Sequence, residues 1–205
     1  VTAFVPSRRR ILWSGGFDST ALVLEGLARG DRIEPVYIDH DNGWKKDRYQ
    51  MAAIARVIVA LPEGLRARLT PVQRVTLEDV YRDTMARLAE LDAAAIELGV
   101  GRSPQVALLH AVGRAVGPIE AAYVANDTAG AQLPLSRELL LSGGIQMPLI
   151  RTSKLELWAA ARDRGFEDLL RLTWSCEGPA GEPDWPEWPC GRCDPCRHRL
   201  VPHPK

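Results

Sequence analysis

The chain has 205 residues, 26 basic and 26 acidic side chains, and 46% apolar residues. That length and mix can bury a real core and fit one compact α/β domain better than two, while ordinary glycine and proline contents exclude collagen and general disorder. Zero net charge removes the simplest case for a nucleic-acid binder, because counterion release needs a basic surface.

Residues 10–13 (RILW) read as a first strand, led by Arg8-Arg9-Arg10. A turn, Ser14-Gly15-Gly16-Phe17-Asp18-Ser19-Thr20, leads into a helical run over 21–29 closed by Gly30. Residues 32–38 (RIEPVYI) form a second strand ending at Asp39-His40-Asp41-Asn42-Gly43. A helix covers 45–61, with Met51, Ile54, Ala55 and Ile58 on one stripe. A third strand is expected over 69–75, then a long helical stripe from Leu77 to Leu98 that stops at Gly99. After Gly101-Arg102-Ser103-Pro104 another helix runs to about Val116. Residues 119–125 give a fourth strand, 146–150 a fifth, and 153–164 a helix capped by Ser153. Such alternation implies a parallel sheet with helices on both faces. Ligands on these sheets sit at the carboxyl ends of the strands, where residues 14–19, Asp39 and Asn126-Asp127 fall. The stretch 178–189, rich in proline, glycine and acid, reads as a linker. No apolar run approaches the ~18 residues of a membrane span and no export signal opens the sequence, so a cytoplasmic protein is expected.

Strand, glycine turn and helix N-terminus together make an anion cradle. Gly15 and Gly16 let the backbone approach a phosphate, and the first-turn N–H groups and the helix dipole complete it. Ser14, Ser19 and Thr20 add hydroxyls, and Asp18 is placed to help hold magnesium beside phosphates. This is neither the Walker loop nor the dinucleotide fingerprint. The plainer reading is an ordinary strand–turn–helix junction in which serine and aspartate only cap the helix.

All four cysteines lie in the last thirty residues: Cys176, Cys190, Cys193 and Cys196. Two disulfides suit a small secreted domain, which this chain is not. The C-x2-C-x2-C succession suits a tetrahedral ion with four thiolates, and the neighbouring C-x2-C units are poor disulfide partners. A closed four-cysteine zinc site, structural in role, is the favoured expectation.

With these residues in view, the chain resembles the 7-cyano-7-deazaguanine synthase (QueC) family of the PP-loop ATP pyrophosphatases. S-G-G-x-D-S-T after the first strand is the PP-loop signature, and Thr173-Trp174-Ser175-Cys176 ahead of C-G-x-C-x-x-C is similar to the metal segment of that family. Pro148-Leu149-Ile150, then Thr152-Ser153-Lys154 and Trp158, is similar to its P-L-x…K-x-E-x-W segment, and Gly101-Arg102 to its G-R-N element. The resemblance implies a Rossmann-like PP-loop domain over 1–172 and a zinc-binding segment over 173–205 packed on it. It implies an ATP-dependent carbon–nitrogen ligase that adenylates a deazaguanine carboxylate, releases pyrophosphate, and joins the carboxylate to ammonia as amide and then nitrile. Ser14, Gly15, Gly16, Asp18, Ser19 and Thr20 would hold phosphate and magnesium, Asp39 the adenosine end. Lys154 would meet phosphate or the developing charge, and Arg102 phosphate or substrate.

The chain departs from the family at Ile38–Trp44 and again after the fourth strand, where the Tyr-Pro-Asp-Cys core is missing. Asn126, Asp127 and Arg137 stand there as candidate substrate residues. The implied partners are a deazapurine carboxylate and an amine or ammonia; a protein acceptor and a homodimer stay open, and no nucleic acid or membrane is expected. Plainer readings exist for several of these residues. Lys154 suits a solvated lysine, Arg102 a surface residue, His110 a packed core histidine, and Trp185 and Trp188 a lid over the zinc knuckle. Two other classes compete: a PP-loop sulfur transferase acting on a tRNA base through cysteine persulfide, and a silent zinc-ribbon interaction protein.

Overall fold

The computed structural model describes residues 7–39, 45–76, 80, 104–125, 140–176, 190, 193 and 196. Its first unit is β1 (Arg8–Leu12), α1 (Phe17–Ala28) and β2 (Arg32–Asp39). There follow α2 (Lys45–Ala60), the single turn α3 (Glu63–Arg66) and β3 (Gln73–Thr76). The described elements close with α4 (Pro104–Val116), β4 (Ile119–Glu120), β5 (Ile145–Gln146), α5 (Lys154–Asp163) and α6 (Glu167–Arg171). The strands form one sheet in the order β3-β2-β1-β4-β5, with every neighbouring pair parallel. The expected α/β fold is therefore present. The chain steps outward from β1 to β3 and later returns to lay β4 on the other side of β1. Ligands of such sheets bind beside that reversal, at the carboxyl ends of strands such as β1 and β4.

Side-chain alternation along the strands divides the core into two faces. Ile11, Trp13, Ile33 and Tyr37 bury one side against Leu22 and Leu24 of α1, Ile54 and Val57 of α2, Leu157 of α5 and Leu170 of α6. Leu12 and Val36 bury the other against Val80, Leu109, Val112 and Ile145. Arg9 of β1 forks onto Glu120 of β4, with Nε–Oε1 at 2.9 Å, and reaches Asp31 at 3.4 Å. This bidentate clamp satisfies a mostly buried guanidinium and ties β1 to β4.

The boundaries differ from expectation for local reasons. The first helix starts at Phe17, four residues early, because Gly15 at φ +71° and extended Gly16 complete the turn. Leu69 makes only an isolated bridge to Ile33, and the ladder of the third strand begins after Pro71, which has no N–H to give. The fourth strand leaves the ladder after Glu120, and Tyr123 N–H turns back to Ala121 O at 3.0 Å. The fifth spans Ile145–Gln146 alone, since Ile150 N–H returns to Met147 O around Pro148. At five residues, α6 is too short to leave a readable period. The stripe over 77–98 lies outside the described residues except for Val80, which is helical and buried, and the linker over 178–189 lies outside them too. Among the described residues no helix is long and apolar enough to cross a membrane.

Candidate functional site

The S-G-G-F-D-S-T sequence stands at the carboxyl end of β1 and forms the first turn of α1. Gly15 makes this geometry possible twice over. Its positive φ disfavours any side chain, and a Cβ there would sit 2.5 Å from the Gln50 carbonyl oxygen of α2. Ser14 is exposed at the mouth, with its Oγ 3.0 Å from Ser19 Oγ and 3.4 Å from the Gly16 N–H that donates to it. Ser14 N–H donates in turn to Ser19 Oγ at 3.3 Å. Hydroxyls, N–H groups and the positive end of the α1 dipole thus converge on one small surface, an arrangement suited to an anion.

Thr20 has a different position. Its side chain is fully buried, and Oγ1 accepts from the Trp13 indole N–H at 2.9 Å. That bond fastens the floor of the turn to the last residue of the first apolar run.

Lys154 reaches the same turn from a distant part of the chain. Ala125 N–H donates to Thr152 O at 3.0 Å, which fixes the segment entering α5. Ser153 then caps α5: its hydroxyl accepts from Glu156 N–H at 3.2 Å, and its own N–H donates to Glu156 Oε2 at 2.7 Å. Those bonds, from the Ser153 N–H first and its hydroxyl second, hold the Glu156 carboxyl below the usual range. Lys154 and Trp158, four residues apart, share one helix face. Lys154 Nζ lies 3.3 Å from Asp18 Oδ2, and the Trp158 ring lies 6.2 Å from that of Phe17.

A third segment closes around the turn. Trp174 N–H donates to Gly15 O at 2.8 Å, and Ser175 Oγ accepts from Phe17 N–H at 3.2 Å. The Trp174 ring stacks on Tyr49 of α2, with centroids 4.8 Å apart and planes 16° from parallel. Cys176 follows directly and is fully buried. Its sulfur and those of Cys190, Cys193 and Cys196 lie within 4.8 Å of one another, and no disulfide joins them. A tetrahedron with zinc–sulfur bonds of about 2.3 Å has edges of about 3.8 Å, so the four sulfurs fit one such ion with little adjustment. Cys190 N–H donates to Cys176 Sγ and Cys193 N–H to Cys190 Sγ, both at 3.3 Å. The cluster can therefore hold a metal such as zinc.

At the carboxyl end of β2, Asp39 is buried and ion-paired with Arg74 of β3. Beside it Tyr37 Oη donates to Asp47 at 2.6 Å and lies 3.0 Å from Gln50 Oε1. Burial first, and the Asp47 carboxylate second, push the Tyr37 phenol far above its ordinary value, so it stays protonated.

Comparison with known proteins bears on the same residues. The model of the queuosine biosynthesis protein QueC matches residues 136–203, a span that holds Lys154, Trp158 and all four cysteines. A 7-cyano-7-deazaguanine synthase of Parvibaculum lavamentivorans is 27% identical over 218 residues, covering 92% of this chain and 91% of that protein. The chain is QueC-like. The crystal structure of a predicted subunit of tRNA methyltransferase from Methanocaldococcus jannaschii aligns at a TM-score of 0.42 and 12% identity. It covers 77% of this chain and 75% of that one, and a likeness of that size has no bearing on function.

In this QueC-like chain the structure brings Ser14, Gly15, Gly16, Asp18, Ser19 and Lys154 to one surface and gathers the four cysteines beside it. Asp39 belongs to the neighbouring strand end. Arg102, Asn126, Asp127 and Arg137 lie outside the described residues, as do His40, Trp185 and Trp188. His110 is partly buried against Gly143, where a Cβ would meet its ring at 2.7 Å. Sequence reasoning missed the contacts of Ser175, Trp174 and Gln50 with the turn. The first two stand in the T-W-S-C segment, whose likeness to the family's metal segment pointed to the cysteines and not to the turn.

Proposed function

We propose that this QueC-like chain is an ATP-dependent carbon–nitrogen ligase that adenylates a carboxylate, 7-carboxy-7-deazaguanine or a related deazapurine. The observation that carries the reading is the meeting of Lys154 with the S-G-G-F-D-S-T turn at the carboxyl end of the central strand. A phosphate chain lying on that turn would take the Ser14 and Ser19 hydroxyls and the N–H groups of the turn other than that of Phe17, which Ser175 holds. A carboxylate oxygen of the substrate attacks the α-phosphorus, and the bond to the β-phosphate oxygen breaks, giving acyl-adenylate and pyrophosphate. Ammonia then attacks the acyl carbon, loses a proton, and expels AMP to leave the amide. With a second ATP, the amide oxygen attacks the α-phosphorus, releasing pyrophosphate and one N–H proton, and elimination of AMP with loss of the remaining N–H proton gives the nitrile.

Charge gathers on the phosphates during the first step, and fixed donors there lower its barrier. Lys154, ion-paired with Asp18, would turn to the phosphates on binding. Asp18 presents a partly exposed carboxylate at the mouth, which fits the usual binding of magnesium by one or two carboxylates plus phosphate oxygens. Such an ion supplies charge neutralisation; orientation comes from the chain's own turn. The four-cysteine cluster has no ligand to spare for chemistry and acts structurally. The partners are thus a deazapurine carboxylate and ammonia or another amine.

The test is incubation with ATP, magnesium and 7-carboxy-7-deazaguanine, with and without ammonia, followed by mass spectrometry. Amide or nitrile is the expected product. Adenylate that accumulates without amide would mean a different nucleophile, such as an amine on a protein. No product and no pyrophosphate from folded, metal-loaded protein would overturn the assignment.

A further inference from the structure

Three consecutive residues, Trp174, Ser175 and Cys176, join the proposed phosphate turn to the proposed metal centre. Trp174 N–H satisfies the Gly15 carbonyl, Ser175 Oγ receives the first helical N–H of α1, and Cys176 supplies a sulfur. Two Cα steps of about 3.8 Å separate the first from the last, so the link is at most about 7.6 Å long and has no slack. On its other side the link is held by α2, through the Tyr49–Trp174 stack and buried Ala53. The same helix meets Gly15 through Gln50 O.

We propose that Trp174 and Ser175 are positioning residues through which metal loading sets the shape of the phosphate turn. The four sulfurs, within 4.8 Å of one another, fit a single tetrahedral ion that ties Cys176 to Cys190, Cys193 and Cys196. When the ion leaves, that tie is lost, and a displaced Cys176 pulls Ser175 off Phe17 and Trp174 off Gly15. The turn then loses two of the bonds that hold it from outside α1. Metal and nucleotide therefore bind cooperatively, and each raises the affinity of the other by the same factor.

The nucleotide half of this inference rests on the ligase reading above; the effect on the turn itself does not. Amide exchange over residues 14–20 and ATP affinity by calorimetry are measured on zinc-loaded and chelator-stripped protein, and on loaded Ser175→Ala and Ser175→Thr. Stripping is expected to speed exchange at Phe17 and to weaken ATP binding. Ser175→Ala keeps one zinc per chain yet exchanges faster at Phe17 and binds ATP about three- to tenfold more weakly, the worth of one hydrogen bond. Ser175→Thr, which keeps the hydroxyl, restores both. If stripped protein loses its circular dichroism, the zinc-loaded variants carry the test. Faster exchange with no ATP binding in any form supports the link and overturns the ligase reading. Unchanged exchange at Phe17 in loaded Ser175→Ala overturns the link, whatever ATP does.

Discussion

Lys154 Nζ stands 3.3 Å from Asp18 Oδ2, so the first turn of α5 is ion-paired with the first turn of α1. Both side chains are partly exposed, 34% for lysine and 21% for aspartate. An ion pair in that setting stabilises a fold by about 1 kcal/mol or less. So small an energy does not by itself account for the placement of a lysine there by the capping box of Ser153 and Glu156, and the proposed ligase reading assigns that lysine to phosphate. Lys154→Met should lower pyrophosphate release by about a hundredfold or more, as losing one fixed donor to developing charge does elsewhere. The urea midpoint should hardly move. A large fall in stability with unchanged turnover would make Lys154 a structural residue.

Ser14 and Thr20 should separate cleanly. Ser14 is exposed at the mouth, so Ser14→Ala should weaken nucleotide binding and leave stability within about 0.5 kcal/mol. Thr20→Val strands the buried Trp13 indole N–H and should cost about 1–3 kcal/mol. Thr20→Ser keeps the acceptor and should recover much of that loss. Urea titration alongside calorimetry with ATP distinguishes the two residues.

Gly15→Ala should fail as a turn. A side chain at φ +71° costs on the order of 1–3 kcal/mol, before the 2.5 Å approach to Gln50 O is relieved. Relief requires α2 to move away from the turn. The variant should melt several degrees lower and lose ATP binding, both read from thermal melts with and without nucleotide.

One metal ion per chain is the expected stoichiometry by elemental analysis. Cys176→Ser replaces a fully buried ligand and should cut zinc content sharply. Because structural metal binding contributes directly to folding, a loss of about 3 kcal/mol is a modest expectation, equal to about 6–12 °C in melting temperature for a domain of this size. Full metal content in Cys176→Ser would remove it from the ligand set.

Asp31 gives a pH dependence with a defined sign. Burial alone pushes its carboxyl up, but bonds from the Ser7 hydroxyl at 2.8 Å and N–H at 3.1 Å, with Arg9 adjacent, outweigh it and hold the pKa below the ordinary value. The folded state favours the carboxylate, so this stabilisation is complete above about pH 4 and lost as pH falls through the folded value. Asp31→Asn should therefore be less stable than wild type at pH 7, with the gap narrowing by pH 3. Urea midpoints across that range test it.

The sequence announced those parts of the fold whose signal is local. β1, β2, α2 and α5 were legible because apolar period, a capping serine and glycine punctuation lie within the element itself. The S-G-G-F-D-S-T turn and the four cysteines were legible because their chemistry resides in spacing. Strand ends after Glu120 and Gln146 were not, since tyrosine and proline turns only decide the ladder once neighbouring strands are in place. Ser175 was invisible for the same reason: a serine before a cysteine has no pattern, and its partner Phe17 is 158 residues away. Thr20 read as a phosphate hydroxyl because the motif faces outward on paper. In three dimensions its carbon is carried inward by the helical turn that begins at Phe17.

The distance between Phe17 and Ser175 also bears on how the protein is made. β1, α1 and β2 are neighbours in sequence and can close on one another early during synthesis, whereas Lys154 and residues 174–175 emerge from the ribosome much later. A chain interrupted before Trp174 would carry the phosphate turn without the bonds that shape it. Incomplete translation products should accordingly be inert toward nucleotide even where their front half is folded, and competence for ATP should arise only once synthesis has passed the last cysteine.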